Sequence, residues 1–304
     1  MSIALSSRLR AAVVRVLRER AGDPTPIRRV EPVTGGDINE AARLTTERSR
    51  YLVKWNPAPL PRIFACEAQG LELLAQAGAI RVPTVYGYGE PEDGRPGFIV
   101  MEWLEPPAGG FDRERFAVRF GRQLAALHRM TASSYGLDHD NYIGSLPQPN
   151  GPMDRWVDFY RERRLGFQAA LARRRGHLSG ERARRMERLM ARLERWIDEG
   201  TVSPSLLHGD LWSGNYIVGP QGEPVLIDPA VYYGHREVEL AFTELFGGFP
   251  ERFYRAYEEA FPLDPGYEER RPLYQLYYLL VHLNLFGEAY GGAVDRILRR
   301  YGGS

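Results

Sequence analysis

Residues 206–230, LLHGDLWSGNYIVGPQGEPVLIDPA, decide how the rest of the chain is read. They read as a strand, a loop, a hairpin and a second loop. His208, Gly209 and Asp210 are followed five positions after the aspartate by Asn215, and eighteen positions after it by Asp228, which closes the apolar run Val225, Leu226, Ile227. Phosphoryl transfer calls for one carboxylate at the acceptor hydroxyl, and for a second carboxylate with an amide oxygen on a Mg²⁺ ion that bridges the phosphates. Asp210 suits the first role, and Asp228 and Asn215 the second. An aspartate before Leu-Trp also caps helices and Asp-Pro also opens turns. It is the set at this spacing that points to phosphotransfer.

At 304 residues and 43% hydrophobic, the chain is long enough for a sizeable core and two lobes. A formal net charge of +1 leaves no global field toward nucleic acid or an anionic membrane, so a small-molecule substrate is expected, with no nucleic-acid or membrane partner. The single cysteine, Cys66, excludes an intramolecular disulfide. The N-terminus has no long apolar run of the signal or membrane-spanning kind, and a cytoplasmic location is expected. Of the 40 basic residues all but one are arginine; the exception is Lys54. A chain that carries nearly all its positive charge on guanidinium has kept an ammonium at one position, where a compact point charge differs from a planar fork.

Residues 3–20 place Leu9, Ala12, Val13, Val16 and Leu17 at amphipathic helical spacing. From Arg28 the period becomes two. A strand runs to Thr34, a turn follows at Gly35-Gly36-Asp37, a second strand runs to Thr46, and a third spans Arg50 to Trp55, which makes a meander. Gly35 and Gly36 let the backbone approach phosphates, and Lys54 on the third strand is placed to reach them. A helix from about Arg62 to Ala77 follows three spaced prolines. On it Glu67 is the candidate to pair with and orient Lys54, with Glu72 as competitor. Strands over 82–89 and 97–104 complete the lobe. The second, FIVMEWLE, ends where the composition shifts to EPPAGG, so the lobe boundary is placed between residues 103 and 104; the backbone of Glu102 and Leu104 can bond an adenine edge.

The remainder reads as helical. Asp112–Arg129 carries Phe116, Phe120, Leu124 and Leu127 on one face, with His128 as a structural histidine. Residues 135–150 read as a loop, 154–175 and 180–199 as helices, and the region from Val238 as several more, ending with Leu273–Phe286 and a short tail. The fold class expected is α+β, with a small N-terminal antiparallel sheet lobe (1–103) and a larger, mainly helical lobe (104–304).

A glycine turn, a lone lysine with a paired glutamate, and a helical lobe with HGDxxxxN and Asp-Pro together resemble the protein-kinase-like fold. More narrowly, the chain resembles the fructosamine (ketosamine) kinase family, related to aminoglycoside phosphotransferases. The match rests on VTGGDIN, YLVKWN, FACEAQGL, FIVMEWLE, NYIGSLPQPN, LLHGDLWSGN, IDPAVYYGHREVELA and YQLYYLLVHLNLFG, in order along nearly the whole chain. It implies ATP and Mg²⁺, with Asp210 at the acceptor hydroxyl, Asn215 and Asp228 on the metal, and Lys54 on the phosphates. The implied acceptor is a ketosamine phosphorylated on the hydroxyl of its third carbon, whose product releases the amine. Trp212 can stack on a sugar face, and His282 with Asn284 can bond hydroxyls. Where several members carry a cysteine in the glycine loop this chain has Asp37, so a monomer without disulfide-linked dimerisation is expected. The residues alone leave other readings open: phosphotransfer to an aminoglycoside-like or choline-like alcohol, a non-catalytic ATP-binding scaffold, or a hydrolase using His208 and Asp210 as metal ligands.

Overall fold

Amphipathic spacing at the N-terminus produces helix α1 (Ser7–Arg20), whose first turn is capped by Ser6 accepting the Leu9 amide at 3.3 Å. Leu9, Ala12, Val13 and Leu17 are buried in one core with Val30, Ala42, Leu44, Val53 and Val100 of the sheet that follows. The computed structural model describes residues 4–33 and 39–303; the turn expected at Gly35, Gly36 and Asp37 lies outside the described residues.

Strands β1 (Arg29–Pro32), β2 (Glu40–Thr45) and β3 (Arg50–Asn56) form the expected antiparallel meander. After helix α2 (Ile63–Ala77), strands β4 (Val85–Gly89) and β5 (Gly97–Glu102) complete a five-stranded sheet of order β1-β2-β3-β5-β4. Alternation along β3 sends Tyr51, Val53 and Trp55 into the core shared with α1. Lys54 therefore points from the other face, where it meets α2.

Asp23, just past α1, ties that helix to the sheet. Its buried carboxylate accepts the Thr46 hydroxyl at 2.6 Å, the Tyr51 hydroxyl at 3.0 Å and the Thr25 amide at 3.0 Å.

The chain forms two compact units, Met1–Asp112 with Ile217–Pro229, and Arg113–Tyr216 with Ala230–Ser304. The division thus falls after Asp112 rather than after Trp103, and a segment far along the chain joins the first unit. Arg81 accounts for that segment. Its carbonyl accepts the Leu226 amide at 2.9 Å, and its guanidinium donates to Glu223 at 2.5 Å and Glu102 at 2.6 Å.

In the second unit, α3 (Arg113–His128) precedes a short hairpin, β6 (Asn141–Ile143) and β7 (Leu146–Gln148), inside the stretch expected to be loop. The helix expected over 154–175 is interrupted. It runs as α4 (Trp156–Phe159), a π-helical segment Tyr160–Gly166 and α5 (Phe167–Arg174). The π-helical segment carries Arg164, fully buried, with its guanidinium 3.9 Å from the Tyr232 ring centroid and bonded to the Pro149 carbonyl and Asn150.

Helix α6 (Gly180–Met190) is shorter than expected because the chain turns back: Glu199 caps α4 by accepting the Trp156 and Val157 amides at 3.1 and 2.6 Å. There follow β8 (Ser205–Leu207), the hairpin β9 (Tyr216–Val218) and β10 (Pro224–Leu226), and β11 (Tyr232–Gly234), which pairs with β8. Helices α7 (Arg236–Leu245), α8 (Glu251–Ala260) and α9 (Tyr267–Phe286) close the unit, and the expected tail is a helix, α10 (Gly291–Gly302), with Val294, Ile297 and Leu298 buried.

Burial opposes ionisation of Asp23, but the donors from Thr25, Thr46 and Tyr51 outweigh it and hold its carboxyl below the ordinary carboxylate value. A depressed carboxylate stabilises the fold above its unfolded pKa and loses that contribution as pH falls through its folded value. Asp23→Asn is therefore expected to lower the urea midpoint at pH 7, with the gap to wild type narrowing below about pH 4. An equal gap at pH 7 and at the acid end would contradict the assignment.

Candidate active site

The first unit supplies a charge cluster. Lys54 Nζ donates to Glu67 Oε1 at 2.8 Å and also to Asp228 Oδ1, with the lysine and Glu67 side chains 16% and 12% exposed. Glu67 sits on the first turns of α2, which places its carboxylate over the β3 face from which Lys54 projects. Glu72, the competitor, has no such contact with Lys54 among the bonds of the described residues. Burial alone would strip the proton from Lys54, but the Glu67 and Asp228 carboxylates more than reverse this and hold its pKa well above the ordinary lysine value. The ammonium is charged at any physiological pH. Asp228 follows β10 in a left-handed conformation, φ 53°, which a non-glycine residue adopts at a cost of about 1–3 kcal/mol and which is met most often at functional sites.

At the end of β5, the Glu102 amide donates to the Thr84 carbonyl at 2.8 Å, so this residue's N–H is already engaged within the sheet. Its side chain accepts from Arg81 and from the Thr84 amide at 3.2 Å, a structural task that sequence reasoning left unassigned. Leu104 is buried.

The second unit supplies the catalytic-loop candidate. Asn215 Nδ2 donates to the Asp210 carbonyl at 2.8 Å and to Asp210 Oδ2 at 3.0 Å. Because both bonds leave from the amide nitrogen, the atom Asn215 has to offer a cation is its carbonyl oxygen. Beneath the loop lies a carboxylate from further along the chain that sequence reasoning did not single out. Glu239, on α7 and fully buried, accepts the His208 amide at 3.1 Å, the Gly209 amide at 2.7 Å and His128 Nε2 at 2.9 Å. Burial works against its charge. The His128 bond, the nearby His208 ring and the Gly209 amide outweigh burial and hold it below the ordinary glutamate value.

His128 is in turn oriented by the Tyr257 hydroxyl at 2.8 Å, the structural role expected of it. Gly209 has φ 86°, and a Cβ there would lie 1.9 Å from the Ala230 carbonyl oxygen, so the loop requires glycine. The Gly209 carbonyl accepts the Tyr278 hydroxyl at 3.0 Å. From the IGSLPQPN stretch and its neighbours, Asn141 Nδ2 and Gln148 Nε2 bond the Val231 and Ala230 carbonyls at 2.8 and 3.0 Å, which fixes the chain just after Pro229.

Trp212 is 41% exposed and lies over Gly214, where a Cβ would be 2.3 Å from the indole. His282 and Asn284 are not brought together. His282 Nδ1 donates to the Tyr278 carbonyl at 2.8 Å and its ring faces aromatic neighbours. Asn284 is buried and spends its amide nitrogen on the Gln168 carbonyl and side chain at 3.0 and 2.8 Å. Two residues apart on a helix point to different sides, and here one is at a surface and the other in the interior.

Among the described residues, one group has metal-ligand atoms within 4.8 Å of one another: His235, Glu237 and Asp264. It contains neither His208 nor Asp210. Both Glu237 oxygens accept from Arg270 at 2.7 Å, so the group is an ion-pair network already neutralised by a guanidinium, and it gives the hydrolase reading no support.

The chain is similar to known proteins along nearly its whole length. Residues 9–302 match the family model for fructosamine kinase. A probable ketoamine kinase of Lactiplantibacillus plantarum is 44% identical over 278 residues, 91% of this chain and 95% of that protein. The chloroplastic protein-ribulosamine 3-kinase of Arabidopsis thaliana is 38% identical over 284 residues, 92% of this chain and 84% of that one. The crystal structure of a candidate fructosamine-3-kinase from Haemophilus somnus superposes with a TM-score of 0.84 at 31% identity, covering 95% of this chain and 96% of its own.

Glu239→Gln keeps the shape, but its side-chain nitrogen cannot accept, so whichever way the amide lies the His208 or the Gly209 amide loses its acceptor, which is expected to cost about 1.5–3 kcal/mol of stability. Turnover should fall at least about tenfold with nucleotide affinity little changed, because the loop carries Asp210 and not Lys54. Circular-dichroism melts with paired kinetics and nucleotide titration check this. A variant that loses stability but keeps full turnover would show that Glu239 does not position the loop.

Proposed function

The chain belongs to the fructosamine kinase family, and from that premise we propose that it transfers the γ-phosphoryl group of ATP to the third-carbon hydroxyl of ketosamines. The observation that carries the proposal is the pairing of Asp210 with Asn215 on a loop fixed from below by Glu239. A carboxylate so placed can take a proton from an alcohol, and nothing in a purely nucleotide-binding scaffold would need it.

In the proposed reaction Asp210 accepts the proton of the acceptor hydroxyl as that oxygen bonds to the γ-phosphorus. The bond from the γ-phosphorus to the bridging oxygen breaks, and the electron pair leaves with ADP. Lys54, kept charged and aimed by Glu67, faces the phosphates. Asp228 and Asn215 offer a carboxylate and an amide oxygen, the hard oxygen donors that suit Mg²⁺, and Asn215 already turns its nitrogen toward Asp210. When bound, the ion supplies positive charge to the phosphate oxygens.

The adenine edge is assigned to the Glu102 carbonyl and the Leu104 amide, since the Glu102 amide is spent on Thr84, and Gly35 and Gly36 are assigned to the phosphate cover. Trp212 and His282 are assigned to the acceptor. Asn284 is left out, because it is buried beside Gln168. The product, a 3-phosphorylated ketosamine, loses its amine, which makes the reaction a deglycation. The proposed setting is the cytoplasm and the proposed state a monomer; Cys66 is buried on α2, away from disulfide exchange with a second copy.

ATP consumption is to be compared across ribulosamine, erythrulosamine, fructosamine, an aminoglycoside and choline. Ketosamine-dependent turnover is expected, and preference for the aminoglycoside or choline would overturn the acceptor assignment. Asp210→Asn should reduce turnover at least about a hundredfold while ATP affinity stays within about threefold. Near wild-type turnover in that variant would remove Asp210 from the reaction.

A further inference from the structure

Helix α9 carries an aromatic series that runs from the catalytic loop to the surface. Tyr278, His282 and Phe286 are four residues apart and share one helical face. Tyr278 is buried and donates to the Gly209 carbonyl; His282 is half-buried; Phe286 is 59% exposed. The rise from the first to the last is about 12 Å, at about 1.5 Å per residue.

Helix α7 and the turn after it supply the facing rings. Phe242 stacks on Tyr278 at 3.6 Å, and Phe246, 43% exposed, lies 4.7 Å from the His282 ring. Tyr290 closes the group at 4.9 Å from His282. The next residues tie this series to the acceptor loop. Gly248, φ 99°, passes so close to Ser213 that a Cβ would lie 2.5 Å from that side chain, and Ser213 follows the exposed Trp212.

An exposed aromatic surface of this kind in the same unit as the proposed base needs an occupant. We propose that Phe246, His282, Phe286 and Tyr290 form a subsite for the amine substituent of the acceptor, selecting ketosamines whose nitrogen carries an aryl or other apolar group. The inference rests on the ketosamine reading above and deepens it. A ketosamine has two ends. The sugar hydroxyl must reach Asp210, so the substituent on nitrogen is carried away from it, and Gly248 packed against Ser213 sets Phe246 and the rings around His282 beside the loop that carries Asp210 and Trp212. The secondary ammonium between the two ends is cationic, and ring faces attract a cation while the substituent covers apolar area. His282 suits such a place because burial lowers its pKa below the ordinary histidine value, which leaves it uncharged at pH 7.

The test compares the ribulosamine made from benzylamine with that made from ethanolamine, in the wild-type protein and in Phe246→Ser and Phe286→Ser, with sedimentation velocity of each at the assay concentration. The wild-type protein should favour the benzyl substrate at least about tenfold in kcat/KM, and each variant should bring the ratio to within about threefold of unity. A wild-type ratio near unity, or a ratio that both variants leave intact, would overturn the subsite while ketosamine turnover upheld the parent reading. A wild-type dimer that both variants dissociate, without change in the ratio, would assign the surface to a second copy and overturn the proposal. Failure to turn over either ribulosamine would sink the ketosamine reading and the subsite with it.

Discussion

One ammonium held between two carboxylates is the constraint on which the first unit depends. Lys54 and Glu67 are largely shielded from water, and Asp228 meets them from the solvent side with 42% of its side chain exposed. A lysine so placed without partners would lose its proton, and a carboxylate without the lysine would gain one. Each of the three elements therefore has its position set by the others: β3 must turn Lys54 away from the core that Val53 and Trp55 build, α2 must cover that face with its first turns, and the chain after β10 must enter a left-handed conformation at Asp228. The Arg81 contacts to Glu223 and Leu226 hold the β9–β10 hairpin in this unit, although it lies more than a hundred residues away in sequence.

The second unit handles charge differently. Glu239 is also buried, but its carboxylate is held by hydrogen bonds from two backbone amides and His128 instead of by a lysine or arginine. It fixes two consecutive peptide planes just before Asp210, while Asn215 fixes the aspartate's own carbonyl and side chain. The loop is thus held by groups that do not compete for an acceptor hydroxyl. A positioned base with little freedom to relax is what proton abstraction from an alcohol calls for.

Much of this was legible because it was written in local patterns. Alternation in YLVKWN gave β3 and the facing of Lys54, and arginine everywhere else made that lysine conspicuous. The spacing from Asp210 to Asn215 and Asp228 marked the loops. The rest depends on contacts with no local signature. Glu239 lies far from the loop it supports, and its one clue is a glutamate set between Val238 and Leu240 in a buried helix. The early end of α6 follows from Glu199 capping a distant helix, and the hairpin at 141–148 from buried amides that bond Ala230 and Val231. His282 and Asn284 looked like a pair in the one-dimensional string, and the helix sends them to different environments.

In the proposed reaction the phosphates are met by an ammonium at position 54 and not by positive charge as such. Lys54→Arg keeps the charge in a longer, planar group that forks toward carboxylates. Steady-state kinetics of that variant with saturating ribulosamine and varied ATP, beside a melting curve to confirm folding, is the most direct measurement. The expected result is a fall in kcat/KM for ATP of at least about a hundredfold in a folded protein, about 2.7 kcal/mol of lost transition-state stabilisation. Retention of most of the wild-type kcat/KM would contradict it.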